Sequence, residues 1–164
     1  MSERKIGKDV LTRFYRKQVM DKHRILPVFR NGAKLHFIGD NILHSNLLHR
    51  EDGPACEWVD AEVWMFENKI HRDHGPAVTR ANGDRVWFKH GKRHRTDGPA
   101  EEKGNGDLEW FKDGKRHRID GPAIIRKNGE QQWFFEDKLH REDGPAKIFP
   151  DGTVEWWKNG ERQN

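Results

Sequence analysis

Five tryptophans stand at one fixed interval. Trp64, Trp87, Trp110, Trp133 and Trp156 follow one another every 23 residues. Gly-Pro-Ala recurs in step, with its glycine at 53, 75, 98, 121 and 144, and LHREDGPA occupies both 48–55 and 139–146. Such a period excludes an aperiodic globule. It implies one small unit stacked on copies of itself, each burying the open face of its neighbour.

One unit reads GPAVTRANGDRVWFKHGKRHRTD, residues 75–97, and contains two turn signals. The first is Asn82-Gly83, Asn105-Gly106, Asn128-Gly129 and the variant Asp151-Gly152. Asn-Gly between strand-like runs predicts a hairpin with a type I′ turn, which needs positive φ at both central residues. The second lies near His90-Gly91, Asp113-Gly114, Glu136-Asp137 and Asn159-Gly160. Two short strands per unit follow. The fold class is mostly β: an elongated antiparallel meander of five hairpin repeats, advancing about 10 Å per repeat. In a single-layer sheet the tryptophans form a ladder on one face. Met65, Phe88, Phe111, Phe134 and Trp157, one residue later, form a ladder on the other. This explains the composition. Only 33% of residues are hydrophobic and 35% are charged, which suits disorder, yet seven Trp and nine Phe oppose it. Aromatic columns across strands are what such a sheet needs.

The leading segment differs. Residues 1–30 hold nine basic and three acidic side chains, so this arm carries +6 and the array over 31–164 carries −2 of the total +4. Residues 9–22 predict a basic α-helix with Asp9 as N-cap, which caps the sheet or contacts a ligand through Arg13, Arg16 and Lys17. The first unit, with Ile42-Leu43 in place of the aromatic pair, and the last, ending WWKNGERQN, are atypical, as terminal repeats are. The single cysteine, Cys56, leaves no internal disulfide, and no apolar run suits a signal peptide or a membrane span. A cytoplasmic location is expected.

His-Arg-x-Asp recurs with His49, His94, His117 and His140 and with Asp52, Asp97, Asp120 and Asp143. Metal binding and acid–base chemistry both use such pairs. A structural role is favoured, because the motif is spread along the array rather than gathered at one place. One unit also carries His74 where the others have Asp. In that reading the Asp bonds its own turn, the Gly supplies unusual φ, and the arginines pair with acids of a neighbouring unit. No metal, cofactor or catalytic residue is expected: no zinc spacing, P-loop or nucleophile motif is present.

The pattern W-F-x-x-G-K-x-H-R-x-D-G-P-A resembles a divergent MORN repeat over residues 39–160, with Arg replacing the Gly that usually follows His. The resemblance implies a hairpin array acting as a scaffold or binding platform, without catalysis. The Asp-Gly-Pro-Ala variant implies a bacterial, phage or large-virus setting, where such a protein would modulate or inhibit a host factor.

If repeated residues build the fold, function sits in the departures. Trp58 is extra, Phe66 and Phe135 stand where Lys89, Lys112 and Lys158 stand in other units, and Trp157 replaces Phe. Exposed aromatics beside Arg and Lys suit an interaction surface. A non-enzymatic protein that engages a partner protein through its β-repeat face is the leading expectation. Nucleic-acid binding through the basic helix and the aromatics is the alternative. Homo-oligomerisation through a sheet edge is compatible with the pattern, and membrane association ranks last.

Overall fold

The computed structural model describes residues 27–30, 33–38 and 47–163. The helix expected over 9–22, with Arg13, Arg16 and Lys17, lies outside the described residues, as does Ile42-Leu43 of the first unit. What is described is all β: an antiparallel meander of hairpins.

Each 23-residue unit makes four short strands, not two, and they form two rows instead of one layer. In the unit beginning at Gly75, Val78–Arg80 pairs with Arg85–Val86, and Phe88–Lys89 then pairs with Lys92–Arg93. The first pair belongs to a continuous thirteen-stranded sheet that begins at Pro27–Arg30 and runs to Val154–Glu155 among the described residues. The second pair is a separate two-stranded hairpin, one of five. The six-residue run DRVWFK is therefore broken at its tryptophan. Trp87 N–H donates to the carbonyl of Ala100 in the next unit, and its own carbonyl accepts from His94 N–H. Trp64, Trp110 and Trp133 repeat both bonds with Ala77 and His71, Ala123 and His117, and Ala146 and His140. One residue thus joins its sheet strand, its hairpin and the next unit.

The two rows face each other. Along the sheet, Cys56, Val63, Val78, Val86, Glu101, Glu109, Ile124 and Gln132 lie in one register column. Cys56 Sγ lies 3.7 Å from Met65 Sδ of a hairpin, and the hairpin arginines Arg93 and Arg116 reach Glu101 and Glu109 at 3.1 and 3.2 Å. The Met65/Phe88/Phe111/Phe134 ladder consequently points inward, with Phe111 buried, rather than covering a free face. Burial pushes the Cys56 thiol up, as for a small buried hydrophobe. The alanine of every Gly-Pro-Ala (Ala55, Ala77, Ala100, Ala123, Ala146) has no exposed surface at all. Four of them, Ala77, Ala100, Ala123 and Ala146, accept the tryptophan N–H of the preceding unit.

The turns also differ from expectation. Positive φ at both central residues occurs in the short hairpins, at Glu67-Asn68, His90-Gly91, Asp113-Gly114, Glu136-Asp137 and Asn159-Gly160. Those are the type I′ turns. At Asn82-Gly83 only the glycine has positive φ, at 90°. Gly83 N–H donates to Arg80 O, Arg80 N–H donates to Asp84 O, and Asn82 Oδ1 accepts Asp84 N–H at 3.0 Å. This is a type I turn followed by a left-handed glycine, closed by the asparagine side chain. Asn105, Asn128 and Asp151 accept in the same way from Asp107, Glu130 and Thr153.

Candidate interaction surfaces

The His-Arg-x-Asp-Gly-Pro-Ala segment closes each unit. The Arg95 guanidinium lies 4.0 Å from the centre of the Trp87 ring. Its Nε donates to Asp97 Oδ1 at 2.9 Å, and NH1 donates to Pro99 O and Glu102 Oε1. Arg72, Arg118 and Arg141 lie over Trp64, Trp110 and Trp133 at 3.8–4.2 Å. The other side of the guanidinium rests on glycine. A Cβ on Gly98, Gly121 or Gly144 would come within 2.8–3.0 Å of the arginine Cζ. These glycines do not have positive φ, so they supply room and not unusual φ. Gly75 alone does, at 101°, in the unit where His74 replaces Asp. The arginines pair first with acids of their own motif and keep only about a quarter of the side chain exposed or less. Asp52, Asp97, Asp120 and Asp143 each hold the Nε of that arginine from the solvent side. The Arg118 hydrogen bond is the main cause that holds the Asp120 carboxyl below the usual range.

The histidines support the hairpin turns. Nδ1 of His49, His71, His94 and His140 accepts the N–H of Glu67, His90, Asp113 and Asn159 in the following hairpin. Nε2 of His49, His71 and His140 faces a carboxylate two residues on, Glu51, Asp73 and Glu142. His117 has Ile119 at that position and packs against Phe135 at 4.7 Å; both its ring nitrogens are buried without a partner. His71 stacks on His90 at 4.3 Å, and burial, then the neighbouring His90, pull it below the ordinary histidine range. Among the described residues no three His, Cys, Asp or Glu side chains gather as metal ligands would. A shallow polar groove lies between consecutive turns, lined by Asn105, Asp107, Arg126, Lys127, Asn128 and Glu130. Most of its charges are already engaged, with Arg126 bonded to Asp107 at 3.2 Å and Glu130 to Lys147 at 3.4 Å.

Two outward surfaces remain. One is the sheet face turned away from the hairpins. Its first half is a charge lattice: Lys34–Glu57, Arg50–Glu57, Arg85–Glu102 and Arg95–Glu102. Its second half is apolar. Leu108, Ile125, Gln131, Ile148 and Val154 stand side by side on five adjacent strands, four of the five aliphatic. Val154 is 45% exposed and Trp156 50%, and the Arg118–Trp110 and Arg141–Trp133 stacks flank the stripe. The other surface is the outer side of the hairpin row, with Phe66, Lys89, Lys112, Phe135 and Lys158 in one column and Lys69, Lys92, Lys115, Lys138 and Glu161 in the next.

The aromatic departures singled out in the sequence are not gathered at one place. Trp58 is 42% exposed in the turn between Cys56–Glu57 and Ala61–Val63, next to the fully exposed Val59. Phe66 is half-buried between His49 and His71. Phe135 is 48% exposed, three hairpins away from Phe66. Trp157 is half-buried on the inner side of its hairpin, its Nε1 bonded to Glu155 at 3.0 Å. The aliphatic stripe was missed. Its signal was present, since Ile125, Ile148 and Val154 occupy strand positions held by Glu57, Glu62 and Glu102 earlier in the chain. No family model matches the chain, and it matches no curated protein.

Proposed function

We propose that the protein is a non-enzymatic binding platform that holds a partner protein on the apolar half of its sheet face. One observation carries the reading. Leu108, Ile125, Ile148 and Val154, with Gln131 between the two isoleucines, form an apolar stripe on a sheet face that no other described strand covers; Val154 is exposed and the other three are half-buried. Contiguous exposed apolar surface rimmed by polar groups marks interaction sites, and Arg and Trp at its border are common anchors. The partner fitting it presents a complementary apolar patch. Both surfaces are built of many small units without a chemically active centre, which suits holding rather than turnover.

Immobilised full-length protein, incubated with nuclease-treated lysate from its source organism, supplies candidate partners for identification by mass spectrometry. Each purified candidate is then titrated calorimetrically against the wild type and an I125E/I148E variant. The expected result is binding at least roughly tenfold weaker for the variant, as for loss of central apolar anchors, with its melting temperature nearly unchanged. Unaltered affinity in a folded variant would refute the reading.

A further inference from the structure

The hairpin row carries a charge arrangement that the fold does not need. Lys89 stands directly opposite Lys92, and Lys112 directly opposite Lys115, in adjacent hairpins. Like charges directly opposite on one face destabilise a strand pair. The neighbouring hairpins avoid this: the same positions hold Phe66 and Lys69, Phe135 and Lys138, and Lys158 and Glu161. All four lysines are exposed. Lys115 touches Glu136 at 3.5 Å, whereas Lys89, Lys92 and Lys112 carry no ion pair among the described residues. The arginines of the same two hairpins, Arg93 and Arg116, are turned inward and neutralised by Glu101 and Glu109. The lysines are thus most of the outward charge of these hairpins, against one exposed carboxylate, Asp113, in the second turn. They sit close together, at a local cost in stability; the Lys92 stem rests beside Gly114 of the next hairpin, but no carboxylate meets the ammonium groups of Lys89, Lys92 and Lys112 among the described residues. Local rules broken without a structural gain mark functional sites.

The surroundings select the ligand. Phe135 continues the Lys89/Lys112 column between His117 and His140, at 4.7 and 6.0 Å, with about half of the residue open. Phe66 ends the same column on the other side, between His49 and His71 in the same way, but is less exposed. Lysines supply charge for closely spaced phosphates, and a supported, half-exposed ring supplies a stacking platform for an unpaired base. A duplex would use the lysines but not the ring. We infer that the outer face of the hairpin row binds single-stranded nucleic acid, with phosphates on Lys89, Lys92, Lys112 and Lys115 and a base on Phe135. This surface is on the opposite side of the molecule from the aliphatic stripe, and the inference does not depend on the protein-binding reading.

Fluorescence anisotropy tests it, using a labelled twelve-nucleotide single strand, a duplex of the same sequence, and polyglutamate as a non-nucleic polyanion. The proteins are the full-length wild type, K89Q/K92Q/K112Q/K115Q, F135L and R13Q/R16Q/K17Q. Glutamine at exposed positions removes the like-charge pairs, so circular dichroism should show the quadruple variant folded. The wild type should prefer the single strand. The quadruple variant should flatten the slope of log K against log salt by about 0.7 per lost phosphate contact, a change of about 2–3 in all. F135L should weaken binding by about fivefold to a hundredfold while leaving the slope unchanged. The inference is overturned if the wild type does not bind the single strand at low salt, or if duplex or polyglutamate binds as tightly. It is equally overturned if the slope disappears in R13Q/R16Q/K17Q and survives in the quadruple variant.

Discussion

Replacing Glu109 with alanine should lower the unfolding free energy by about 3–5 kcal/mol, the usual cost of leaving buried charges uncompensated. Glu109 is only 3% exposed, on the inner side of the sheet. Its Oε1 accepts from Arg126 NH1 at 2.8 Å and from Lys103 Nζ at 3.2 Å, and its Oε2 accepts from Arg116 Nε at 3.2 Å. Three cations thus converge on one carboxylate: Arg116 from a hairpin strand, and Lys103 and Arg126 from just past two sheet strands. Removing it leaves Lys103 and Arg116 without this carboxylate and Arg126 with Asp107 alone. Glu109→Gln should cost less, because the shape and two acceptor directions survive. The same geometry sets a pH dependence. Burial pushes the Glu109 carboxyl up, but the hydrogen bonds and charges of Arg126 and Lys103 outweigh it and hold the group below the ordinary glutamate range. A carboxylate depressed on folding contributes stability above its unfolded pKa, about 4.3, and that contribution is lost as pH falls through the folded value. Urea melts at pH 7 and across the acid range should therefore show Glu109→Ala weaker at neutral pH and converging on the wild type in acid. Equal stability at pH 7 would contradict this role.

Arg118→Ala should cost about 2–3 kcal/mol, from a cation–π contact and charge-assisted hydrogen bonds lost together. For a chain of this length that is a fall in Tm of about 5–10 °C. The guanidinium lies between the Trp110 ring, 4.1 Å away, and the Cα of Gly121, and it bonds Asp120 and Pro122 O. Lysine has neither the planar stack nor the several donor directions, so Arg118→Lys should recover little. Asp120→Asn should be the mildest change, because the carboxylate is largely in solvent. The unit carrying His74 already shows this: without the aspartate, Arg72 still lies over Trp64 and bonds Pro76 O at 3.1 Å. Gly121→Ala should cost less than Arg118→Ala, since its Cβ would meet the guanidinium at 3.0 Å and a small shift of that side chain relieves the contact. An Asp120→Asn variant less stable than Arg118→Ala would place the weight on the carboxylate instead.

The period made the array legible, because stacked units need the same side chains at the same interval. The break at tryptophan was not legible. DRVWFK reads as one uninterrupted six-residue strand, and the break comes where Trp87 bonds forward to Ala100. The hidden cue was the alanine, a small residue repeated where a strand would tolerate a larger one. Asn-Gly misdirected the turn assignment for a related reason. Asparagine serves equally well as a positive-φ residue and as a side-chain acceptor, and here the acceptor role prevails while Glu67 and Glu136 take positive φ. Glu109 was unreadable as a buried charge, because its three cations come from positions 6, 7 and 17 residues away that meet only in the folded sheet. The lysine pairs were equally hidden, since their opposition depends on the hairpin register.

If the repeated residues are spent on closing each unit against the next, the outward departures are left free for binding. Residue-resolved amide hydrogen exchange on the wild-type protein tests that division directly. Trp64, Trp87, Trp110 and Trp133 N–H each donate to an alanine carbonyl one unit on, and His71, His94, His117 and His140 N–H each donate back to those tryptophans. All eight should exchange slowly, in peaks of protection that recur every 23 residues, with the exposed Asn82, Asn105 and Asn128 turns exchanging fast between them. Protection without that period, or tryptophan amides exchanging as fast as the turns, would contradict it.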